Sequence, residues 1–341
     1  IDGLANFWND IKSVAFGYDA TVDKSRRARP ATVTKSEDSQ LTPHERRKAI
    51  ATQRDQIRNL TWVQWMANRH LDYVSQFEFR GTTDDDALNQ KLEDLMDEWS
   101  EPDNCDIGRR HDLSELMRLY ESGKVIDGDV AFMKVRGALQ GIESDRICKP
   151  QGGTFPQNIS DHGLLLREDS SVRSYCVCKR DGNGMLIKDR MVPAENMFFD
   201  GYFKRFDQTR GISPLLTALN NNQDLYENFE YTLIKIKMHA MFGTQITRQM
   251  PSTNDGWGYD SETYTSEENN TFTTYEFDLS PAMKIEMEPG DEIKTIESNT
   301  PSDEFQDYSE LMMRITFLAL DIPFTMFNSK QSNNNAMRSD F

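Results

Sequence analysis

The fold of this chain is decided by residues 208–243, which read QTRGISPLLTALNNNQDLYENFEYTLIKIKMHAMFG. Ser213 fits the N-cap position of a helix, Pro214 fits its first turn, and Gly243 fits the residue that ends it. About 29 residues at 1.5 Å each predict a helix roughly 40 Å long, typical of a rod in a helical bundle. Its apolar residues recur at helical spacing: Leu215, Leu219, Tyr226, Phe229, Leu233, Ile236 and Ala240.

Three further helices are predicted on the N-terminal side of this segment. The first begins at a capping box formed by Thr42 and Glu45 and runs on to Val74. The third begins at Asp112, which fits the N-cap position in the same way. The apolar stripes of the second and third helices are Leu88, Leu92, Leu95, Met96 and Trp99, and then Leu113, Leu116, Met117 and Tyr120.

Strands are predicted on both sides of the long helix. Residues 130–135 and 171–179 form a small β-rich unit before it, with a hairpin turn at 181–184, where Gly and Asn tolerate positive φ. After it, residues 271–277 and 283–287 are strand-like within a polar stretch, and residues 303–320 form another helix that ends before Pro323. The pattern therefore predicts an α+β fold.

Composition limits the classes of function. The 341 residues are 37% hydrophobic, and no apolar run approaches the roughly 18–20 residues of a membrane helix. The four cysteines are too few for a disulfide scaffold, which favours a reducing intracellular environment. The net charge of −17 opposes tight binding of nucleic acid, because phosphate binding relies on Lys and Arg. If DNA is a partner, it must pass without adhering.

We considered three candidate metal sites. Cys176 and Cys178 share a strand face and could form a zinc site with Cys148 and His162, but the paired spacing of such sites is missing, so half-buried strand cysteines are favoured. The aspartates at 84–86 directly precede a helix and are expected to favour its N-terminus. The aspartates at 127 and 129 lack the remaining ligands of a calcium loop.

Other catalytic patterns are missing from the sequence. The five histidines form no spaced motif, and the sequence contains no phosphate-binding glycine loop or nucleophile elbow. We therefore expect no catalytic residue, no cofactor and no metal. The expected class is a structural assembly subunit that is not an enzyme.

Several stretches, taken together, resemble the lambda-type portal proteins of tailed bacteriophages. They span roughly residues 54–341 in the order of the family, and QTRGIS at 208–213 is the sharpest match. The chain departs from the family at Phe198 and Phe199, where a histidine is frequent, and at 333–335, where asparagines replace an Asn-Tyr-Ser pattern. The other matching stretches are 54–59 (RDQIRN), 139–147 (LQGIESDRI), 192–197 (VPAENM), 289–291 (PGD), 315–323 and 335–338 (NAMR).

The resemblance implies a portal fold, with a helical and β wing, long stem helices and a small β-containing clip. In this assignment, residues 1–40 are an N-terminal arm, 41–201 the wing, 202–242 the first stem helix and its lead-in, 243–302 the clip, 303–322 the second stem helix, and 323–341 the start of a tunnel loop. The C-terminal wing helix and the crown of the family are expected to be missing from this sequence.

The resemblance also implies site residues. The channel candidates in the tunnel loop are Ser329, Lys330, Gln331, Ser332, Asn333, Asn334 and Asn335, with Lys330 as a single possible phosphate contact. The candidates for packing between stems are Tyr226, Phe229, Leu233 and Ile236.

The implied partners follow from the same resemblance. They are about eleven further copies of the chain in a ring, terminase, head–tail adaptor proteins, the major capsid protein, and double-stranded DNA that passes through the channel without tight binding. The expected location is the portal vertex of the virion, after assembly in the host cytoplasm and without a membrane. Two other interpretations stay open from the residues alone: a different capsid or adaptor subunit of the virion, and a metal-dependent nuclease.

Overall fold

The computed structural model describes residues 18, 20, 34–152, 154–182, 184–241, 244–248, 261–265, 271–275, 291–295 and 303–327. They divide into two units, the first drawn from Ile1–Asp224 and Glu310–Phe341 and the second from Leu225–Ser309. Both units contain helix and antiparallel strand, which confirms the predicted α+β class. No helix within these ranges is both long and apolar enough to cross a membrane.

Helices α1 (Glu37–Gln40), α2 (Pro43–Asn59) and α3 (Thr61–Val74) follow one another in the first unit. The capping box predicted at the start of α2 is confirmed, because Thr42 Oγ1 accepts from the Glu45 amide at 3.3 Å and Glu45 Oε2 accepts from the Thr42 amide at 2.9 Å. The prediction of one helix from Thr42 to Val74 is wrong. Leu60 has extended backbone (φ −107°, ψ 108°) and is buried in the core with Val63.

Helices α4 (Asp86–Ser100), α5 (Pro102–Cys105) and α6 (Leu113–Asp127) come next. The Asp85 carboxylate accepts from the amides of Ala87 and Leu88 at 2.9 and 3.2 Å, so the aspartates at 84–86 begin a helix, as predicted. Asp112 caps α6 by accepting from the Glu115 amide at 2.7 Å.

The described residues of the first unit also include two three-stranded antiparallel sheets. They consist of β1 (Asp129–Val135), β2 (Ala138–Ile142), β3 (Leu164–Leu166), β4 (Val172–Arg180), β5 (Leu186–Pro193) and β6 (Met197–Gly201). The strand orders are β2–β1–β6 and β3–β4–β5, and apolar residues of both sheets share one buried core. The predicted strands at 130–135 and 171–179 are confirmed as β1 and β4, and the predicted turn joins β4 to β5, since the Asp181 amide donates to the Met185 carbonyl.

Two long helices, α7 (Leu219–Met241) and α8 (Asp303–Phe317), carry the candidate site. Ser213 is the N-cap, as predicted, because its Oγ accepts from the Leu215 amide at 3.1 Å, but the first turns, Pro214–Ala218, form a 3₁₀ helix where an α-helix was predicted. Leu215 and Leu216 belong to two different buried clusters, so tertiary packing fixes the tighter winding here. The predicted helix at 303–320 is confirmed, although its last turn, Leu318–Leu320, is also 3₁₀. Gly243, the predicted end of the first helix, lies outside the described residues.

The described residues of the second unit include two antiparallel strand pairs. Strand β7 (Thr244–Arg248) pairs with β10 (Asp291–Thr295), and β8 (Ser261–Thr265) pairs with β9 (Thr271–Tyr275). Strand β9 confirms the strand predicted at 271–277, and the one predicted at 283–287 lies outside the described residues.

Candidate functional site

One face of α7 carries the four residues predicted to pack between stems. Tyr226 and Leu233 are exposed, and Phe229 and Ile236 are half-buried. Their 3-4-3 spacing is the pattern by which a helix packs along another helix. Phe229 also contacts Phe305 of α8 edge-on, with ring centroids 5.7 Å apart. We call these four residues the α7 face.

A second face of α7 is also apolar, since Tyr231 and Ile234 are exposed there. Helix α8 has an exposed apolar face of its own with the same 3-4-3 spacing, which we call the α8 face. Large apolar side chains spaced as a continuous stripe mark an interaction surface when nothing covers them. The α8 face consists of Tyr308, Leu311, Ile315 and Leu318.

The first turn of α7 is held by a buried polar residue, Asn222. Its Nδ2 donates to Gln56 Oε1 at 3.0 Å. Its Oδ1 accepts from Trp62 Nε1 at 3.1 Å and from Thr316 Oγ1 at 3.2 Å. Asn222 therefore ties the start of α7 to α2, to α3 and to the end of α8, and each of these bonds is made in a buried site where an unmade bond would be unfavourable.

A buried ionic cluster anchors the segment that leads into α7. Asp129, at the first position of β1, is fully buried between the guanidinium groups of Arg46 and Arg210. Arg210 binds both carboxylate oxygens at 2.8 Å, and Arg46 Nη2 lies 2.9 Å from Oδ2. Ser144 Oγ donates to Oδ1 at 2.6 Å, and the Gly211 amide donates to Oδ2 at 2.8 Å. We call these five residues the Asp129 cluster.

The electrostatics of the Asp129 cluster favour the ionised carboxylate. Burial alone would raise the pKa of Asp129, but the charges of Arg210 and Arg46 hold it below its usual range. Burial also lowers the pKa of Arg46 to about 10, against the attraction of Asp129. Two arginines are buried here against one aspartate, so the cluster depends on that single negative charge.

A second ion-pair group adjoins the first. Arg54 forms a bidentate pair with Asp127, the last residue of α6, and also binds Asp145 at 3.2 Å. Arg180 of β4 forms a further pair with Asp145. Burial raises the pKa of Asp127 in spite of its bond to Arg54. These bonds connect α2 and α6 to the 3₁₀ turn Ser144–Arg146 and to β4, so helices and a strand of the first unit meet at charged residues.

Two glycines allow this approach of backbones. Gly128 ends α6 with φ 95°, in the left-handed region that favours glycine. A Cβ on Gly128 would lie 2.6 Å from the Ser213 amide nitrogen, and one on Gly211 would lie 2.1 Å from the Gly128 carbonyl oxygen. Any side chain at either position would therefore force apart the lead-in of α7 and the start of β1.

The structure brings together residues whose contact was not predicted from the sequence. The channel candidates predicted at 329–335, including Lys330, lie outside the described residues. The Asp129 cluster was missed, although the stretches at 54–59, 139–147 and 208–213 that carry the resemblance each contribute a charged residue to these pairs. The charged residues in those stretches were the sign available in the sequence. Because the stretches are far apart along the chain, the sequence did not show that these residues pair.

The four cysteines are buried thiols. Cys148, Cys176 and Cys178 pack in one apolar cluster with Ile159 and Leu186. The two strand cysteines were predicted to be half-buried, but they are fully buried because β4 is covered on that face. Across the described side chains, no group of three His, Cys, Asp or Glu could hold a metal ion.

Solved structures share this fold. A chain in the virion of a native gene transfer agent particle matches with a TM-score of 0.56 and 13% identity, covering 86% of this chain and 74% of that one. A chain from the neck of an empty particle, computed with C6 symmetry, matches with a TM-score of 0.57 and 14% identity over 86% and 75%. A chain from the neck of a native particle, computed with C12 symmetry, matches with a TM-score of 0.55 and 13% identity over 85% and 73%.

Sequence comparison identifies the family. No curated protein is significantly similar to this chain. The sequence model of the lambda family of phage portal proteins, however, matches residues 24–335, which include α2, the Asp129 cluster and both long helices. This chain belongs to the lambda family of phage portal proteins.

Proposed function

We propose that this protein is the repeating subunit of a portal ring, set at one capsid vertex of a virion, whose central channel carries double-stranded DNA during packaging and ejection. The observation that carries the proposal is the pair of exposed apolar stripes, the α7 face and the α8 face, in a chain of the portal family. In a ring, each subunit presents one surface to the next copy and a different surface to the previous one. Apolar residues on two faces of α7 suit such a contact.

The domain assignment is part of the proposal. Helices α7 and α8 are the two stem helices, the strands β7–β10 belong to the clip at 243–302, and residues 41–201 form the wing. Residues 323–341 begin the tunnel loop, and residues 1–40 form the arm. The Asp129 cluster then joins the wing to the start of the first stem helix, because Arg210 and Gly211 lie at the end of the lead-in.

The proposed partners follow from the position of the ring. Terminase and then head–tail adaptor proteins dock on the clip, the major capsid protein surrounds the wing, and about twelve copies form the ring. The copy number is supported by the structure of similar fold from a particle neck that was computed with C12 symmetry.

Native mass spectrometry of the purified protein tests the ring. We expect a closed oligomer for the wild type and soluble, smaller species for Leu233→Asp, because the substitution places an unpaired charge in an apolar contact. Leu233 is a better target than Phe229, which also packs against Phe305 within the subunit. Asn228→Asp, which introduces the same residue outside the two apolar faces of α7, is the matched control and should leave the ring intact.

The outcomes separate folding from assembly. Circular dichroism should show the same helix content in both variants, since neither Leu233 nor Asn228 is buried. Rings of wild-type size from Leu233→Asp would exclude the α7 face from the subunit contact. A wild-type protein that stays monomeric would contradict the ring itself.

A further inference from the structure

A short loop in the lead-in of α7 has a fixed shape. Gln208 Nε2 donates to the carbonyls of Tyr202 and Arg210 at 3.0 and 2.7 Å, and its Oε1 accepts from the Lys204 amide at 2.9 Å. Arg205 pairs with Asp207 at 3.3 Å and with Glu37 of α1 at 3.4 Å. One glutamine thus closes the loop and one arginine fastens it to α1. We call residues 203–207 the knob loop.

The knob loop presents an aromatic ring to solvent. Phe206 is fully exposed, with a relative exposure of 113%, and Phe203 beside it is 46% exposed. A phenylalanine buries about 150–250 Å² when it enters a contact, so leaving it in water forgoes a large favourable term. The loop is already held in shape by hydrogen bonds, so little conformational entropy would be lost when the ring is buried.

An open groove with both polar and apolar lining residues lies elsewhere in the same unit. It is walled by α4, by the turn after α5 and by the β1–β2 turn, and its volume is about 600 Å³. Leu95 and Ile107 are exposed in it, and Trp99 is fixed at its wall by a hydrogen bond from Nε1 to the Gly137 carbonyl at 2.9 Å. The groove is largely open to solvent, and its volume is sufficient for an aromatic side chain. We call it the α4 groove.

The charges at the rim suit the knob loop. The carboxylates of Glu98 and Asp103 line the α4 groove, and neither forms an ion pair with another described residue. The knob loop carries Lys204, which likewise forms no ion pair within the described ranges, together with Arg205. The rim also holds Arg109 and Arg136, whose left-handed backbones (φ 53° for both) shape the two turns. With Asp106, the groove lining carries three acids against these two arginines, and the knob loop carries two bases against Asp207, so the two surfaces have opposite net charges.

We propose that the knob loop of one subunit inserts Phe206 into the α4 groove of the next copy. The inference rests on the proposed ring and names one of its contacts. A head-to-tail ring requires two complementary surface patches on every chain, one for each neighbour. Both occur here, and both are unfilled within the subunit, because Phe206 and Leu95 are each exposed.

Covalent cross-linking tests the contact. Full-length Phe206→Cys/Leu95→Cys protein is treated with a short bismaleimide and separated on a denaturing gel. The native thiols Cys105, Cys148, Cys176 and Cys178 are buried and should react slowly. We expect a ladder of covalent oligomers that ends at the ring size, because each subunit carries one thiol at each end of the contact.

Matched variants define the direction of the contact. Phe206→Cys alone and Leu95→Cys alone should stay monomeric, and a mixture of the two should give dimers and nothing larger. Phe206→Cys/Asp97→Cys is the control, since Asp97 lies on the other side of α4 and is also exposed. A ladder from this control, or dimers from Phe206→Cys alone, would contradict the specific head-to-tail contact.

The experiments distinguish a failure of the proposed contact from a failure of the proposed ring. If native mass spectrometry shows wild-type rings and the double variant gives no ladder, the contact is wrong and the ring stands. If the wild type is monomeric, the ring is wrong, and a ladder would still support head-to-tail association through this contact in an open chain.

Discussion

Asp129 is the residue on which the interior of the first unit depends. Its carboxylate receives hydrogen bonds from Arg46, Arg210, Ser144 and the Gly211 amide, and all of these groups are buried. A buried ion pair adds little stability compared with apolar residues of the same size, but removal of one partner leaves an uncompensated charge. Here removal of one carboxylate would strand two guanidinium groups.

Substitution of that carboxylate gives the first prediction. We expect Asp129→Asn to lower the free energy of unfolding by about 3–5 kcal/mol, because Arg46 and Arg210 lose their buried counter-charge. Urea unfolding followed by tryptophan fluorescence measures the change. Asp55→Asn, at an exposed residue 3.8 Å from Arg58, should change it by no more than about 0.5 kcal/mol. Equal effects of the two substitutions would contradict the central role of Asp129.

The same residue sets a pH dependence. The pKa of Asp129 is lower in the folded protein than the ~3.9 of an unfolded aspartate, so its ionised form stabilises the fold. That contribution is complete above the unfolded pKa and is lost as the pH falls through the folded pKa. We expect the stability difference between wild type and Asp129→Asn to be constant from about pH 7 to 5 and to shrink below about pH 4. A difference that grows in acid would reverse the sign of this linkage.

At the scale of elements, the sequence predicted what is encoded locally. The caps at Thr42, Asp85 and Asp112 and the turn at 181–184 depend on neighbouring residues alone, and the structure confirms them. It differs where distant packing decides the winding. The Ser213 hydroxyl donates to the Val125 carbonyl at 2.6 Å, and this contact with α6 precedes a 3₁₀ helix where local signals favour an α-helix.

The candidate site divides in the same way. The 3-4-3 stripe of α7 is visible in the sequence, because helical spacing requires only residues 226–236. The exposure of this stripe could not be predicted, because the sequence alone does not tell whether a stripe faces the interior or a neighbouring subunit. The Asp129 cluster was hidden for another reason. Arg46 and Arg210 are ordinary surface residues by type, and only the fold brings them to one carboxylate.

Deletion of Ser329–Asn334 tests the tunnel loop as an element. These residues lie outside the described ranges, and their assignment rests on position and polar composition. We expect the ring to assemble, because no residue of the α7 face or the α8 face is removed, and we expect less DNA to be packaged or retained. The measurement is the number of full, infectious particles. Normal numbers from the deleted protein would assign the segment to a surface loop without a role at DNA.

The whole molecule is strongly acidic, which suits a channel through which DNA passes without tight binding. A net charge of −17 repels phosphate at long range, and counterion release needs lysines and arginines that are here outnumbered 56 to 39 by acids. We therefore expect duplex DNA to bind with a dissociation constant weaker than about 1 µM at physiological salt. Fluorescence anisotropy with short labelled duplexes measures it, and a salt series is the control. Submicromolar binding would favour a DNA-binding protein or a nuclease instead.

The Asp129 cluster also has a consequence for the order in which the chain can fold. Arg46 bonds to the Gly211 carbonyl across 165 positions of sequence, so the first unit cannot close until its lead-in segment has been synthesised. At about 5–20 residues per second, ribosomes need roughly 10–30 seconds to span that gap. During this interval Arg46 lacks its partner at Gly211, and contacts between residues so far apart in sequence form slowly. A nascent chain that stops before residue 210 should therefore stay open to proteases. Full resistance should appear only after residue 322 has been released, because Phe317, Leu320 and Ile322 complete the core that contains Leu60 and Val63.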